Sequence, residues 1–392
     1  MGNKPADAAP RDQWVLIRRA RQLITLHGPS GPRRGAAMNE IAVVNDGAVL
    51  IHNGAIQESG PSRRIENLQQ ARAAREIDVA GKVVMPAFVD PVAALVARPG
   101  AEVALRTVSR RRLEVQAAST AAAYARLGAL SVGAHTGSAG DLRETTKTLL
   151  IHQALQNKPL RIRSILSPRP DADSAELIEK WLPAVRKRKL AAILELTAPV
   201  SPQFREIATA GAGAGYSLRI RSEAALDADG CDFAVACGAV AIVAPALFRP
   251  DGVRRLSALG CVHVMTADEL LRREGRPAQM RALLAEGAAV ALASGCGSPG
   301  YSSFNPQFLL YLAEAELGMT PEEAICAMTW NAACSLRMSH VTGSLEPGKS
   351  ADLLIMDVGD YRELSRRPGH SDVALAMRAG RVVYRRPPLI LD

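Results

Sequence analysis

The chain has 392 residues, of which 48% are hydrophobic and 22% are charged, and its net charge is +9. This composition is typical of a globular protein with one large and one smaller domain, and it excludes a largely disordered chain. The basic runs RRRL (110–113) and RKRKL (186–190) have no aromatic platform or nucleic-acid motif beside them. They are therefore predicted to be solvated surfaces, with an acidic partner as the alternative.

No export or membrane segment is predicted. Residues 1–12 lack the apolar stretch of a signal peptide and are predicted to be a disordered tail. The longest apolar run, 234–248, is too short to span a bilayer. None of the six cysteines forms a CxxC pair, so we expect small buried thiols in a reducing compartment. A cytoplasmic protein with no membrane partner and no nucleic-acid partner is expected.

Both ends of the chain are predicted to be rich in β-strands. Residues 13–82 alternate apolar and polar positions, and Asn45-Asp46-Gly47 and Asn53-Gly54 are predicted to form tight turns. Residues 343–392 have the same character, with the strand ADLLIMDVGDY and then a strand, an Ala-Gly turn and another strand in ALAMRAGRVVYRR. Residues 13–82 and 343–392 are therefore predicted to form one composite β-sandwich domain.

The middle of the chain, 83–342, alternates strands and helices. A predicted helix starts at Ser174, and another starts with TPEEAICAM, where Thr320 and Glu323 form a capping box. GAGAG (211–215) precedes a strand and is predicted to be a flexible loop. Eight apolar runs are predicted to be parallel strands: VVMPAFV (83–89), ALSVGAH (129–135), LRIRSIL (160–166), AAILELT (191–197), SLRIRSE (217–223), GAVAIVA (238–244), CVHVMTA (261–267) and AVALASG (289–295).

Eight such units fit an α/β fold with a TIM-like (β/α)8 barrel. A doubly wound open sheet is the alternative, but no GxGxxG follows the first strand. In a barrel the chemistry lies at the carboxyl ends of the strands. This rule selects eight candidate pocket residues: Asp90, His135, Arg169, Arg221, Glu223, Asp268, Ser294 and Cys296.

Five stretches carry a resemblance to a known family: ARQLITLHGPSGPRRGAAMNEIAVVNDGAVLIHNGAI, LGALSVGAHTGSAGD, AVALASGCGSPG, MTPEEAICAMTWNAACSL and GSLEPGKSADLLIMD. With them the chain resembles the amidohydrolase superfamily and, within it, the imidazolonepropionases, over nearly its whole length. The resemblance implies a TIM-like barrel with a composite β-sandwich, usually as a homodimer. It also implies a zinc- or iron-dependent hydrolase that opens an imidazolone ring.

The positions that the resemblance assigns to metal ligands carry other residues here. The His-x-His pair after the first strand matches Val92 and Ala94, the histidine of the fifth strand matches Arg221, and the aspartate after the eighth strand matches Gly295. Three further positions have looser or secondary roles: the third-strand histidine falls near Ile165, a substrate-contacting histidine matches Ala244, and a second-strand lysine matches His135.

The chemistry of these residues does not suit a metal. Zinc needs about three nitrogen, oxygen or sulfur ligands, and Val92, Ala94 and Gly295 have no such side-chain atom. Arg221 stays protonated and has no lone pair to donate. No metal cofactor is therefore expected. RPGAEVALRTVSRRR (98–112) also replaces a longer family segment that usually carries substrate contacts.

Several candidate residues have two interpretations. His135 is either a general base or ligand, or a hydrogen-bonded pocket residue. Arg221 either binds a carboxylate or phosphate, or forms an internal ion pair with Glu223 or Asp90. For Asp90 itself, a role in holding loop backbone is expected.

Cys296 and Ser294 are each either a nucleophile or a buried structural residue, and neither has a neighbouring histidine in the sequence. A replacement metal site built from the other histidines is not indicated by their spacing.

Three functional hypotheses follow. The first is a pseudoenzyme with a structural, regulatory or ligand-binding role, as a homodimer or with a partner subunit. The second is an active hydrolase on the carbon–nitrogen bond of a cyclic amide, using an atypical site of His135, Arg221 and Asp268. The third is a binding protein for an anionic small molecule, with Arg221 and Arg219 or Arg169 around an open cavity.

The packing around His135 separates the first two hypotheses. A hydrogen bond from His135 to a carboxylate would favour the enzyme. A pocket filled by Val92, Leu166 and an ion-paired Arg221 would favour the pseudoenzyme.

Overall fold

The computed structural model describes residues 13–96, 105–137, 139–222, 226–243, 250–267, 271, 276–296 and 303–387. These residues form two eight-stranded sheets, one of them a parallel barrel and the other a separate β-domain. The predicted fold class is therefore confirmed. The predicted tail, 1–12, lies outside the described residues.

The β-domain draws its strands from both ends of the chain. With strands numbered along the chain, the sheet order is β16-β15-β14-β5-β1-β2-β3, and β4 pairs with β1. β14 pairs antiparallel with β5, which joins the C-terminal strands to the N-terminal ones. The strands are β1 Trp14–Ile24, β2 Val43–His52, β3 Ala55–Pro61, β4 Arg75–Asp78, β5 Val83–Pro86, β14 Leu353–Met356, β15 Val373–Arg378 and β16 Arg381–Arg385.

Two of the three predicted turns in this domain are present. Asn53 and Gly54, and likewise Ala379 and Gly380, take positive φ angles between paired strands. The prediction for Asn45-Asp46-Gly47 is wrong, because β2 runs through these residues, although Asp46 has a positive φ of 49°. Gly47 is there for packing, since a Cβ atom on it would lie 2.3 Å from Leu23 Cβ.

The predicted strand 83–89 is divided between the two sheets. Val83–Pro86 is β5 of the β-domain, and Phe88 starts the first barrel strand. The Ala87 N–H donates to the Asp352 carbonyl of the β-domain (3.0 Å), and the next N–H, from Phe88, donates to Gly128 beside the barrel (3.1 Å). The chain therefore passes from one sheet to the other within a single residue.

The barrel strands are all parallel and follow one another in chain order. The last strand meets the first through a bridge between Ala93 and Cys296, where the Ala94 N–H donates to the Cys296 carbonyl (3.0 Å). The strands are β6 Phe88–Ala93, β7 Ala129–His135, β8 Arg161–Leu166, β9 Ile193–Thr197, β10 Ser217–Arg221, β11 Ala241–Val243, β12 Val262–Thr266 and β13 Ala289–Ala293.

Helices surround the barrel and join its strands. The capping box of Thr320 and Glu323 is confirmed. The loop predicted at 211–215 is wrong, because Gly211 lies inside a helix where a Cβ would come within 2.5 Å of Leu194. The helices are Ser62–Glu66, Gln69–Arg72, Arg110–Arg126, Leu142–Leu155, Ser174–Glu176 (continuing through a π-helical turn, Leu177–Trp181, into Leu182–Lys187), Pro202–Gly213, Ala228–Ala236, Pro250–Ala258, Arg276–Ala285, Pro306–Ala315, Pro321–Met328 and Trp330–Ser335, with 3-10 turns at Gly35–Asn39 and Tyr361–Glu363.

Small and β-branched side chains form a core within the barrel strands. Val92 and Ile165 belong to this cluster, which packs against Leu336 after the last helix. Leu166 instead packs in a different cluster with Trp181 and Leu182 of the surrounding helices. Within the described ranges, no helix is both long enough and apolar enough to cross a membrane.

Candidate functional site

Asp90 holds the first and last barrel strands together. Its carboxylate accepts hydrogen bonds from the Val92 N–H (3.2 Å), from the Ser294 N–H (3.1 Å) and from the Ser294 hydroxyl. The Ser294 oxygen also accepts from the Cys296 N–H at 3.1 Å, and the buried Tyr124 hydroxyl lies 3.4 Å from it. Burial raises the pKa of Asp90, and these hydrogen bonds offset only part of the rise. These bonds give Asp90, Ser294 and the Cys296 backbone a structural role.

Replacing Ser294 by alanine is expected to destabilise the protein by about 1–3 kcal/mol, because a buried carboxylate then loses a donor. Chemical unfolding monitored by circular dichroism measures this change. Ser131→Ala is the matched control, since Ser131 is equally buried in β7 but its hydroxyl has no partner among the described residues. A loss of the same size in both variants would contradict the role assigned to Ser294.

Glu195 is the centre of a buried charge cluster in β9 and β10. One of its carboxylate oxygens accepts from Arg221 Nε at 3.1 Å and from the Ser167 hydroxyl at 3.2 Å. The other lies 2.5 Å from Arg219 Nε. Arg219 is fully buried and also donates from Nη1 to the Pro91 carbonyl at 2.7 Å. We call Glu195, Arg219 and Arg221 the carboxylate cluster, and its net charge is positive.

The alternating strand geometry explains the cluster. Arg219 and Arg221 are two residues apart in β10, so their side chains leave the same side of the sheet. In the register of the two strands, Glu195 stands opposite Arg219. Burial alone would raise the pKa of Glu195, but the charges of Arg219 and Arg221 outweigh it and lower the pKa to about 2. The carboxylate is therefore ionised at neutral pH.

His135 lies at the end of β7, where the charges of the carboxylate cluster change its pKa. Burial, and then the positive charge of Arg221, lower its pKa to about 4, while Glu195 acts in the opposite direction. The ring is thus neutral at pH 7 and a weak base, because an efficient general base has a pKa near the working pH. Among the described residues, no hydrogen bond joins His135 to a carboxylate.

Arg221 is ion-paired with a carboxylate that was not predicted as its partner. An internal ion pair is present, but its carboxylate is Glu195 rather than Asp90, which Ser294 holds instead. Glu223, the other predicted partner, lies outside the described residues. Arg169 does not join the cluster, because it forms an exposed pair with Asp171 at 3.0 Å.

The four positions matched to metal ligands offer no donor set. Val92 and Ala94 are buried apolar residues, and Arg221 is ion-paired. Gly295 has a positive φ of 64° in the turn after β13. In the parts of the chain that the structure describes, no three His, Cys, Asp or Glu residues are grouped to hold a metal ion. The residues at these four positions therefore do not supply the ligands that a zinc or iron ion needs.

Two of the eight predicted pocket residues, Glu223 and Asp268, lie outside the described residues, as does Ala244. Of the remaining candidates, His135 and Arg221 lie near Glu195. Asp90, Ser294 and Cys296 lie where the last barrel strand meets the first.

Tyr124 and His152 are not among the predicted pocket residues. Tyr124 stands in a helix of small residues and reaches Ser294 across the barrel wall. His152 is buried in the helix Leu142–Leu155, where both of its ring nitrogens lack a partner within the described residues. No spacing signal distinguishes either residue from an ordinary core position, because both contacts depend on long-range packing.

Comparison with known proteins agrees with this architecture. Residues 235–383 match the amidohydrolase family. The imidazolonepropionase of Solibacter usitatus is 31% identical, over 93% of this chain and 97% of the relative. The imidazolonepropionase of Brevibacillus brevis is 29% identical, over 94% of this chain and 97% of the relative.

Solved structures share the fold at lower sequence identity. A triazine hydrolase variant has a TM-score of 0.74 at 16% identity, with 95% of each chain covered. Guanine deaminase from E. coli has a TM-score of 0.70 at 14% identity, covering 96% of this chain and 100% of the deaminase. At such identities the likeness extends to the fold alone.

Proposed function

Since this chain belongs to the amidohydrolase family, among relatives that are imidazolonepropionases, we propose that it is a pseudoenzyme of that family. It keeps the barrel and the β-domain and has lost metal-dependent hydrolysis of a carbon–nitrogen bond. Its role is structural, regulatory or ligand-binding, and a homodimer is part of the proposal.

The observation that carries the proposal is the carboxylate cluster. A guanidinium group keeps its proton and has no lone pair for a metal. Two guanidinium groups, Arg219 and Arg221, share one carboxylate within the barrel wall. Their excess positive charge would repel a divalent cation, and this repulsion is strong where water is scarce. The cluster thus replaces a cation by fixed cationic side chains.

The apolar positions support the same proposal. Val92 packs in the barrel core, and Ala94 is buried where the last barrel strand meets the first. Neither side chain contains a nitrogen or oxygen atom that could bind a metal. Without a bound metal, nothing lowers the pKa of an attacking water toward about 7. His135 does not take over this task, because its low pKa leaves little driving force for accepting a proton at neutral pH.

Purified without added metal or chelator, the protein is expected to hold almost no zinc, iron, manganese or nickel per chain. Inductively coupled plasma mass spectrometry measures this content. The same preparation, with and without each metal added, is then assayed for loss of imidazolonepropionate. The Brevibacillus brevis imidazolonepropionase serves as the positive control for turnover. We expect no turnover above the protein-free rate.

Two other outcomes would overturn the proposal, each for a different reason. About one tightly held metal per chain would show that the matching of the ligand positions is wrong. Turnover without metal would favour the alternative, a metal-free hydrolase with His135, Arg221 and Asp268 at its site.

A further inference from the structure

A cavity of about 520 Å3 lies between β8 and β9, at the amino-terminal ends of these strands. The two strands pair only through Ile165 and Leu166, so the sheet is open before that point. The Gln156 side chain takes the place of the missing strand. It donates to the Ile162 carbonyl at 2.9 Å and accepts from the Ile162 N–H at 2.6 Å. This volume is within the range of about 300–1,000 Å3 that is usual for small-molecule sites.

The lining of this cavity is cationic. Arg163, Arg186 and Lys189 contribute three positive charges, and none of the described residues that line the cavity is acidic. Arg186 lies over the Tyr216 ring at 5.6 Å, and Arg163 Nη2 donates to the Arg337 carbonyl at 3.4 Å. None of the three cations forms an ion pair within the described ranges. No described carboxylate therefore compensates their charge.

His152 adds a buried polar group with unmet hydrogen-bonding capacity. It lines the same cavity, is only 1% exposed, and neither ring nitrogen has a partner among the described residues. Burial lowers its pKa to about 3, so at pH 7 the neutral ring can donate one hydrogen bond and accept another. Buried polar groups are nearly always satisfied, so an unpartnered one calls for a ligand or water.

A second cavity of the same volume is also lined by arginines, but acidic residues lie among them. Arg33, Arg34 and Arg254 line it, but there Arg33 donates to the Leu26 carbonyl, and Arg34 donates to the Ser257 carbonyl at 3.0 Å. Arg254 pairs with Glu286, which lines the cavity as well. Two acidic residues, Glu40 and Glu286, therefore line this second cavity, whereas none of the described residues that line the cavity between β8 and β9 is acidic.

We propose that the cavity between β8 and β9 is a binding site for a small phosphate monoester. A phosphate monoester carries nearly two negative charges at neutral pH and three acceptor oxygens. Arg163, Arg186 and Lys189 supply the opposite charge, with Arg186 and Arg163 able to offer forked N–H donors. The His152 N–H and the Ser164 hydroxyl are neutral donors at the same cavity. The proposal does not depend on the loss of metal chemistry in the barrel.

Isothermal titration calorimetry tests the site at constant ionic strength, with glycerol 3-phosphate, inorganic phosphate and succinate as separate probes. Saturable binding of glycerol 3-phosphate at one site per chain is expected, with weaker binding of succinate. Arg186→Gln/Lys189→Gln is expected to weaken binding by about tenfold or more, because two charge-assisted contacts are lost.

Lys187→Gln/Arg188→Gln is the matched control. It removes two positive charges from the same exposed chain segment, but neither residue lines the cavity. Its affinity should stay within about twofold of the unmodified protein, since exposed charges that make no direct contact with a ligand contribute little in water. If the cavity variant does not fold, Lys189→Gln alone is compared with Lys187→Gln.

Four results would overturn the proposal. The first is no saturable binding of any phosphate probe. The second is an equal loss of affinity in the cavity variant and the control, which would indicate general attraction by surface charge. The third is succinate binding at least as tightly as glycerol 3-phosphate, which would assign the site to carboxylates. Binding of inorganic phosphate as tight as that of the ester would also reject the monoester.

Discussion

Glu195→Gln is expected to lower the free energy of unfolding by about 3–5 kcal/mol, because it leaves Arg219 buried without a counter-charge. Arg219 has no exposed surface, and its other contact is the neutral Pro91 carbonyl. Water cannot solvate the guanidinium group at this place, so the lost charge cannot be replaced. The amide keeps the shape of the carboxylate, which separates the effect of charge from that of packing.

Guanidinium chloride unfolding, followed by circular dichroism, measures the change for Glu195→Gln. The control is Asp171→Asn, which breaks the exposed ion pair with Arg169 and should cost far less, because water already solvates both charges. If the two variants lose similar amounts, the carboxylate cluster does not have the buried, low-dielectric character that the geometry indicates.

Acidification from pH 7.5 to pH 5.5 is expected to lower the free energy of unfolding by about 4 kcal/mol through three histidines. Burial lowers the pKa of His135 to about 4, of His152 to about 3 and of His263 to about 4. In the unfolded chain their pKa is about 6.5, so the unfolded state binds protons first and stability falls with pH. This loss of stability begins as the pH falls through about 6.5 and continues until the pH reaches the folded-state pKa values of about 3 to 4.

Unfolding experiments at pH 7.5, 6.5 and 5.5 test the expectation. The window lies above the range where Glu195 matters, since the contribution of that carboxylate is lost only as the pH falls from about 4.5 toward 2. His152→Phe should reduce the pH-dependent loss by about one third, while His27→Gln, at an exposed position, is the control. A total loss below about 1 kcal/mol would refute the buried neutral state of these histidines.

The barrel strands could be predicted because each is a short apolar run bounded by helical patterns. The run AVALASG predicted β13 to within two residues. The helix start at Thr320 was predicted from local capping chemistry. The division of 83–89 between two sheets could not be predicted, since both halves are buried and apolar. Gly47 and Gly211 were misinterpreted for a common reason: each makes room for a leucine that is distant in sequence or in another strand.

The candidate site was predictable only where strand ends alone determine it. The barrel rule selected His135 and Arg221, which lie together near Glu195. The choice of Glu195 as the partner of Arg221 depends on the register of β9 against β10, which no single strand contains. The position of the cations beside His152 depends on where β8 and β9 separate. That point is set by the pairing of two strands and cannot be predicted from either strand alone.

The pairing of β5 with β14 sets the order in which the molecule can be completed during synthesis. Val83–Pro86 leaves the ribosome about 270 residues before its partner, Leu353–Met356. At about 5–20 residues per second, translation leaves that edge of the N-terminal sheet without its neighbour for tens of seconds. An unpaired strand edge is a template for pairing with other chains. The half-made β-domain is therefore the stage at which a nascent chain most needs shielding by a chaperone, and β14 is the strand that ends this exposure.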